Sequence, residues 1–409
     1  MDLQFKLGDP AVAAPAFDRT RYRGPLALAF AASVAVSGGA SLLYPVLPVL
    51  AADLEVHPTR IGLAMAAFTA PAVVLAPLFG MIADLRGRRW ILIFGLALFG
   101  LAGGLAGLMP SYSWLLALRA LQGVGMSALS PLTIVLISDL VPENREIHSQ
   151  GHKVVIDRLG MILLPVAGAV LAGISWRAAF APFFLTVPLA IAAFLWMPET
   201  NHSEPDTIGS YLRRTLRVIR EPRFAVAFGT GFLRFFLDYG LYTYLPLLLA
   251  LRYGAAPTVA GWLIAMSAAG SILTAVSIGR IHTHLSAERF LVVAFLASAL
   301  GLAVIALDAR LWLVAVAAFV FGLGNGLISP LQKSLLTRRT HPGLRGGVIS
   351  VDRMIQQIAK SLAPSLMGLL LVVAHLEAVF WTLCGLSILG AGALVWKDRK
   401  APLEPGSNP

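Results

Sequence analysis

The sequence predicts an all-α membrane protein of about twelve transmembrane helices in two pseudo-symmetric six-helix bundles, and three observations carry that prediction. The 409 residues are 57% hydrophobic and 13% charged, whereas a soluble domain is about 25% charged. Apolar runs of roughly 20 residues, the length a helix needs to cross the hydrocarbon, follow one another along the chain. The string Gly123, Gly125, Ser130, Pro131 and Leu132 recurs as Gly322, Gly324, Ser329, Pro330 and Leu331, 199 positions later, which marks two similar halves.

The runs lie at approximately 25–51, 60–83, 90–109, 113–138, 150–174, 177–197, 224–251, 258–281, 289–307, 310–336, 346–374 and 376–396. Helix is the form that satisfies every backbone group of such a run inside lipid. Residues 1–24 form a polar, Pro-containing tail without the apolar core and cleavage site of a signal peptide, so the first run is expected to be a retained helix. The gap at 198–222 divides the chain into a first bundle, 25–197, and a second, 223–396, with a tail at 397–409. Within the gap, Tyr211 to Arg220 reads as a short basic amphipathic linker helix.

With both termini on the cytoplasmic side, the inner segments hold 22 Lys and Arg and the outer loops four: Arg60, Arg177, Arg252 and Arg310. The positive-inside rule therefore orients the chain with cytoplasmic termini. It also accounts for the net charge of +11 without a nucleic-acid partner. The single Cys384 excludes a disulfide framework. The eight histidines are expected in loops or at helix ends, so no metal site and no cofactor is expected. No nucleophile elbow or phosphate-cradling loop is present, so the chain is not expected to be an enzyme. The sequon Asn201-His202-Ser203 falls on the expected cytoplasmic side, away from glycosylation.

The repeat extends further. Tyr44 to Pro48 maps on Tyr242 to Pro246, Gly62 on Gly261, Gly80 on Gly279, and the fifth and eleventh runs share an Asp-Arg pair and a proline, Asp157-Arg158 with Pro165 and Asp352-Arg353 with Pro364.

Several of these residues resemble a known family. Gly80, Asp84, Arg86, Gly87, Arg88 and Arg89 resemble the signature between helices 2 and 3 of the major facilitator superfamily. Arg119, Gln122, Gly123 and Gly125 look like its helix 4 motif, and Pro198-Glu199-Thr200 is similar to the close of its helix 6. The drug:proton antiporter branch, with twelve helices, is the most similar pattern. The chain departs from it at the fifth run, where Gly160, Leu164-Pro165 and Gly168-Ala169 match half of the branch motif, and at Ser41, where that branch commonly carries an acid. Both departures point away from a cationic drug.

Ionisable side chains inside lipid are costly and mark pathways or partners. Apart from Arg177, Arg289 and Glu377 at their ends, the third, sixth, ninth and twelfth runs carry none in their apolar spans, and in the resembling family those helices stand outside the cavity. The intramembrane charges are Arg119, Asp157, Arg158, Arg234, Asp238, Lys333, Asp352, Arg353 and Lys360, six basic against three acidic. That excess suits an anionic or zwitterionic solute better than a lipophilic cation.

Counting along each helix, Asp157, Arg158, Asp352 and Arg353 fall towards the inner end, while Asp238, Asn325 and Lys360 fall near the midplane. The inner groups, with Gly80, Asp84, Arg86, Arg88, Arg89 and Arg280, are expected to gate. The resemblance implies an Asp84 contact with the inner end of the eleventh helix at Arg353, and the repeat places Arg280 opposite Asp157. Arg234 and Asp238 stand one turn apart, within pairing reach, either as a purely structural pair or, with Arg119, as groups that handle a proton, because a buried acid beside a guanidinium is balanced between its charged and neutral forms. Asp352, Gln356 and Lys360 share one helix face. The expected substrate cavity comprises Tyr44, Gln122, Phe235, Tyr239, Tyr242, Asn325, Gln356 and Lys360.

The function this implies is secondary active transport of a small organic or amphipathic solute by alternating access, as proton-coupled efflux. The alternatives are proton-coupled uptake of an organic anion, and a non-transporting membrane sensor or scaffold with the same fold. The expected setting is a monomer in the bacterial cytoplasmic (inner) membrane, with a small-molecule substrate, protons and lipid as partners. Function is expected where the symmetry breaks: Arg119, Arg234, Asp238 and Lys360 have no charged counterpart in the other half.

Overall fold

In a computed structural model the described residues, 19–199, 218, 221, 224–281, 287–307, 309–338 and 345–400, are almost wholly helical, with no strand among them. The first half runs α1 (Arg19–Ser41), a 3-10 turn (Tyr44–Val46), α2 (Leu47–Asp53), α3 (Pro58–Ile61), α4 (Leu63–Thr69), α5 (Pro71–Arg86), α6 (Arg88–Ala106), α7 (Tyr112–Leu140), α8 (Glu143–Ile174), a 3-10 segment (Trp176–Leu185) and α9 (Thr186–Trp196). The second half runs α10 (Ala225–Tyr253), α11 (Pro257–Ile281), α12 (Ala287–Ala306), α13 (Leu311–Arg338), α14 (Arg345–Leu370) and α15 (Leu376–Lys400). The ends of both expected tails, and all but Val218 of the expected linker helix from Tyr211 to Arg220, lie outside the described residues, as do the sequon and His282 and His284.

Among the described residues ten segments are long and apolar enough to cross a membrane, and α10 and α14 are not among them. These two bear Arg234 with Asp238 and Asp352 with Arg353 and Lys360, and the charges lower their hydropathy. A helix that polar is tolerated at membrane depth when its charged face is turned into protein or a water-filled cleft. The apolar residues left exposed, among them Trp114, Ile174, Val276 and Leu389, form the face that lipid solvates.

The first and second spans are not single helices as the apolar runs predicted. The first breaks before Pro45, and the second is interrupted at Gly62 and Ala70, just before Pro71. The sixth begins as a 3-10 segment through Pro182. Proline removes a donor and crowds the preceding turn, so the helix re-forms after it.

Glycines let backbones touch where the halves meet. A Cβ at Gly62, at the start of the second span, would run into the carbonyl of Pro364 near the end of α14. A Cβ at Gly261, at the start of α11, would crowd the carbonyl of Pro165 in α8. The two contacts are copies, since 261 − 62 and 364 − 165 are both 199. Gly368 sits likewise on the carbonyl of Thr59. All three contacts lie at the end of the bundle that holds the loops at 54–57 and 371–375.

That end also carries two related ion pairs of reversed polarity. Asp53 accepts from Trp176 Nε1 at 2.6 Å and pairs with Arg177 at 3.4 Å, while Arg252, 199 positions after Asp53, pairs with Glu377 at 3.7 Å.

Candidate functional site

Between the halves, α10 turns Arg234 and Asp238 inward on consecutive turns, both nearly buried. They do not pair directly. Asn325 of α13 stands between them: Arg234 Nε donates to its Oδ1 at 2.7 Å, and its Nδ2 donates to Asp238 Oδ1 at 2.5 Å. An amide can link the two because it has a donor and an acceptor on one planar group. Arg158, from α8 of the other half, and Lys360 of α14 lie within electrostatic range of Asp238 as well. Arg158 reaches across the halves to Ser271 Oγ at 3.5 Å.

Aromatic rings close the site. Tyr44 of the 3-10 turn meets Tyr239 and Tyr242 of α10, with centroids 6.0 and 5.6 Å apart. Tyr242 also shares a hydrogen bond of 3.0 Å with Ser267. Arg234 lies 4.7 Å and Lys360 4.5 Å from the centroid of Phe235, with Tyr239 5.8 Å from Lys360.

Arg119 on α7 is fully buried and held by neutral groups: the carbonyls of Ala64 at 3.2 Å and Gly39 at 2.9 Å, Gln122 Oε1 at 2.6 Å, and the face of Phe68 at 4.2 Å. Gln122, expected to line the cavity, is itself wholly buried, and among the described residues its Nε2 has no hydrogen-bond partner. The Arg119 motif thus clamps the first, second and fourth spans together.

Asp352 on α14 accepts from Gln332 Nε2 at 2.7 Å and Gln356 Nε2 at 2.6 Å. Arg353, its neighbour in sequence, makes no ion pair within 4.0 Å among the described residues. The Asp84 and Arg280 side chains lie outside the described residues, and so do the expected contacts to Arg353 and Asp157. Asp157 accepts from Lys153 and Ser33, each at 2.6 Å. Among the other expected gating residues, Gly80 packs on Pro131 and Arg86 is exposed. Arg88 pairs with Asp139 of α7 within its own half. Arg89 reaches the carbonyl of Phe194, its backbone N–H donates to Glu199, and its guanidinium lies over Trp90 and Phe194. Gly87, with φ 96°, makes the turn between α5 and α6, where a Cβ would strike the Glu199 carboxylate.

One expectation about histidine fails. His148 and His152 lie within α8 a turn apart, with rings 6.0 Å from each other, and not in a loop. No cluster of three metal-ligating side chains occurs among the described residues. The structure adds Phe68, Asp139, Ser267, Gln332 and Lys153 to the residues that hold these groups. Only Lys153 had a sequence signal, its i, i+4 spacing to Asp157.

The model of the Major Facilitator Superfamily matches residues 29–254 and 227–409. The quinolone resistance protein NorA of Staphylococcus aureus (strain MRSA252) is 24% identical over 374 residues, 90% of this chain and 95% of that one. Among solved structures, a bacterial homolog of the human lysosomal transporter Spinster, in an inward-facing and occupied conformation, superposes with a TM-score of 0.76 at 16% identity, over 93% of this chain and 98% of that one. The nucleoside transporter NupG superposes with a TM-score of 0.78 at 12% identity, over 91% and 99%. Paired motifs, repeated halves, a cluster of buried polar side chains between them and a family model spanning nearly the whole sequence agree, and the chain belongs to the Major Facilitator Superfamily of membrane transporters.

Proposed function

We propose that this protein is a proton-coupled exporter of a small organic or amphipathic solute, working as a monomer in the bacterial inner membrane with both termini cytoplasmic. The observation that supports it best is the Arg234–Asn325–Asp238 chain. It leaves a buried carboxyl facing Arg158, Arg234 and Lys360, from α8, α10 and α14, so that proton binding and movement of either half alter the same electrostatic balance. The likeness to NorA supports export, and a quinolone is the first solute to test. In this reading the contacts of Gly62 with Pro364 and Gly261 with Pro165 close the outer side, and access alternates when they part.

The test uses proteoliposomes with an imposed pH gradient. Asp238→Asn is expected to abolish gradient-driven quinolone movement while exchange of labelled quinolone without a gradient persists. Gradient-driven movement at the wild-type rate in that variant would refute the proton role, and absence of exchange in the wild type would favour a sensor or scaffold. A second reading, uptake of an organic anion by proton symport, is favoured by the excess of cations in the cleft. The direction of the pH gradient that drives accumulation separates the two.

A further inference from the structure

Among the described residues, Lys360 is a membrane-depth ammonium with no carboxylate within ion-pair distance, although Asp238 and Asp352 lie within its electrostatic range. Among the described residues its Nζ makes no hydrogen bond and no ion pair. Its nearest partners are the ring faces of Phe235 and Tyr239. Both acids within its electrostatic range are occupied by amides: Asp238 Oδ1 by Asn325, and the two oxygens of Asp352 by Gln332 and Gln356. Arg234 is turned the same way, its Nε on Asn325 and its guanidinium over Phe235. The amides thus engage the protein's own carboxylates, and the half-buried Lys360 keeps only ring faces as neighbours of its ammonium among the described residues.

Ring faces attract a cation but do not replace its hydration or a counter-ion. Phosphate or sulfate would lose most of its hydration among Tyr44, Phe235, Tyr239 and Tyr242. An anion with an apolar body would instead stack on those rings while its head met the ammonium. We infer that Lys360 anchors the head group of an amphipathic organic anion, a carboxylate joined to an aromatic body that lies between Tyr44 and Phe235. This rests on the transporter reading above and names the substrate class of the same cleft.

The experiment measures equilibrium binding to the purified full-length chain in nanodiscs without a pH gradient, so its outcome is independent of proton coupling and of transport direction. The probes are 1-naphthoate, the neutral 1-naphthalenemethanol and the cation tetraphenylphosphonium. Wild type is expected to bind 1-naphthoate at least tenfold more tightly than either comparator. Lys360→Gln should erase that preference, and Lys360→Arg should retain it. Lys360→Arg also separates loss of the charge from loss of the fold, which is checked by monodispersity and an unchanged melting temperature. Preference for tetraphenylphosphonium, 1-naphthoate affinity unchanged in Lys360→Gln, or no 1-naphthoate binding by the wild type overturns the inference. Any of these leaves the pH-gradient test of Asp238 standing.

Discussion

Tyr44 and Tyr242 meet ring to ring, centroids 5.6 Å apart and planes tilted by 55°, although each is the other's counterpart in the repeat (242 − 44 = 198). Repeat-related residues touch only where the axis relating the halves passes between them. The tyrosine pair therefore lies on the axis between the halves, and Asp238 of the Arg234–Asn325–Asp238 chain lies a turn away along α10. A double-mutant cycle on Tyr44→Leu and Tyr242→Leu should give a coupling of about 0.5–1.5 kcal/mol in thermal unfolding, the range for aromatic pairs. Strict additivity would mean the rings do not interact.

Gly62 and Gly261 should behave alike. Valine at either position would push on a carbonyl of the opposite half, Pro364 or Pro165, and overpacking costs roughly 1–3 kcal/mol. Much of that strain is relieved if the halves part at that end. Spin labels placed in the loops at 54–57 and 371–375 should shift to longer separations in Gly62→Val. Wild-type distances in the variant would show that the contact yields locally.

Asn325→Leu should uncouple Arg234 from Asp238. Each loses its hydrogen bond to the amide, and a bond to a charged group is worth about 1.5–3 kcal/mol. A fall in unfolding stability together with loss of gradient-driven transport is expected. Asn325→Gln, which keeps both amide functions, should recover part of the stability.

Arg119→Lys should not substitute for arginine. The guanidinium spans the carbonyls of Gly39 and Ala64 and the amide of Gln122 at once, and an ammonium does not reproduce that fork. Each buried acceptor left alone costs about 1–3 kcal/mol, read as a lower melting temperature in detergent.

Arg88→Ala separates stability from gating. Its pair with Asp139 is nearly buried and joins α6 to α7 within the first half, so its loss should destabilise the chain by about 3–5 kcal/mol. Label distances between the halves should stay unchanged. A redistribution of those distances would instead place Arg88 in the gate.

The helical membrane class, the positions of the spans and the two-fold repeat were determined by the sequence itself. Apolar length and the recurrence of glycine and proline are local, one-dimensional properties that lipid and backbone geometry translate directly into helices and close contacts. The short list of intramembrane charges was legible in the same way, because a charge in an apolar run stands out whatever surrounds it. Tertiary structure alone decided which groups those charges touch. Asn325 between Arg234 and Asp238, Phe68 under Arg119, and Gln332 on Asp352 come from helices 20 to 91 positions away in sequence; Asn325 was legible as a midplane polar residue but not as a bridge, and the neutral side chains of Phe68 and Gln332 leave no signal in composition or spacing. Sequence proposed an Arg234–Asp238 ion pair from helical periodicity. The fold replaced it with a bridge because α13 delivers an amide to the gap between them, and its donor and acceptor on one plane satisfy both partners.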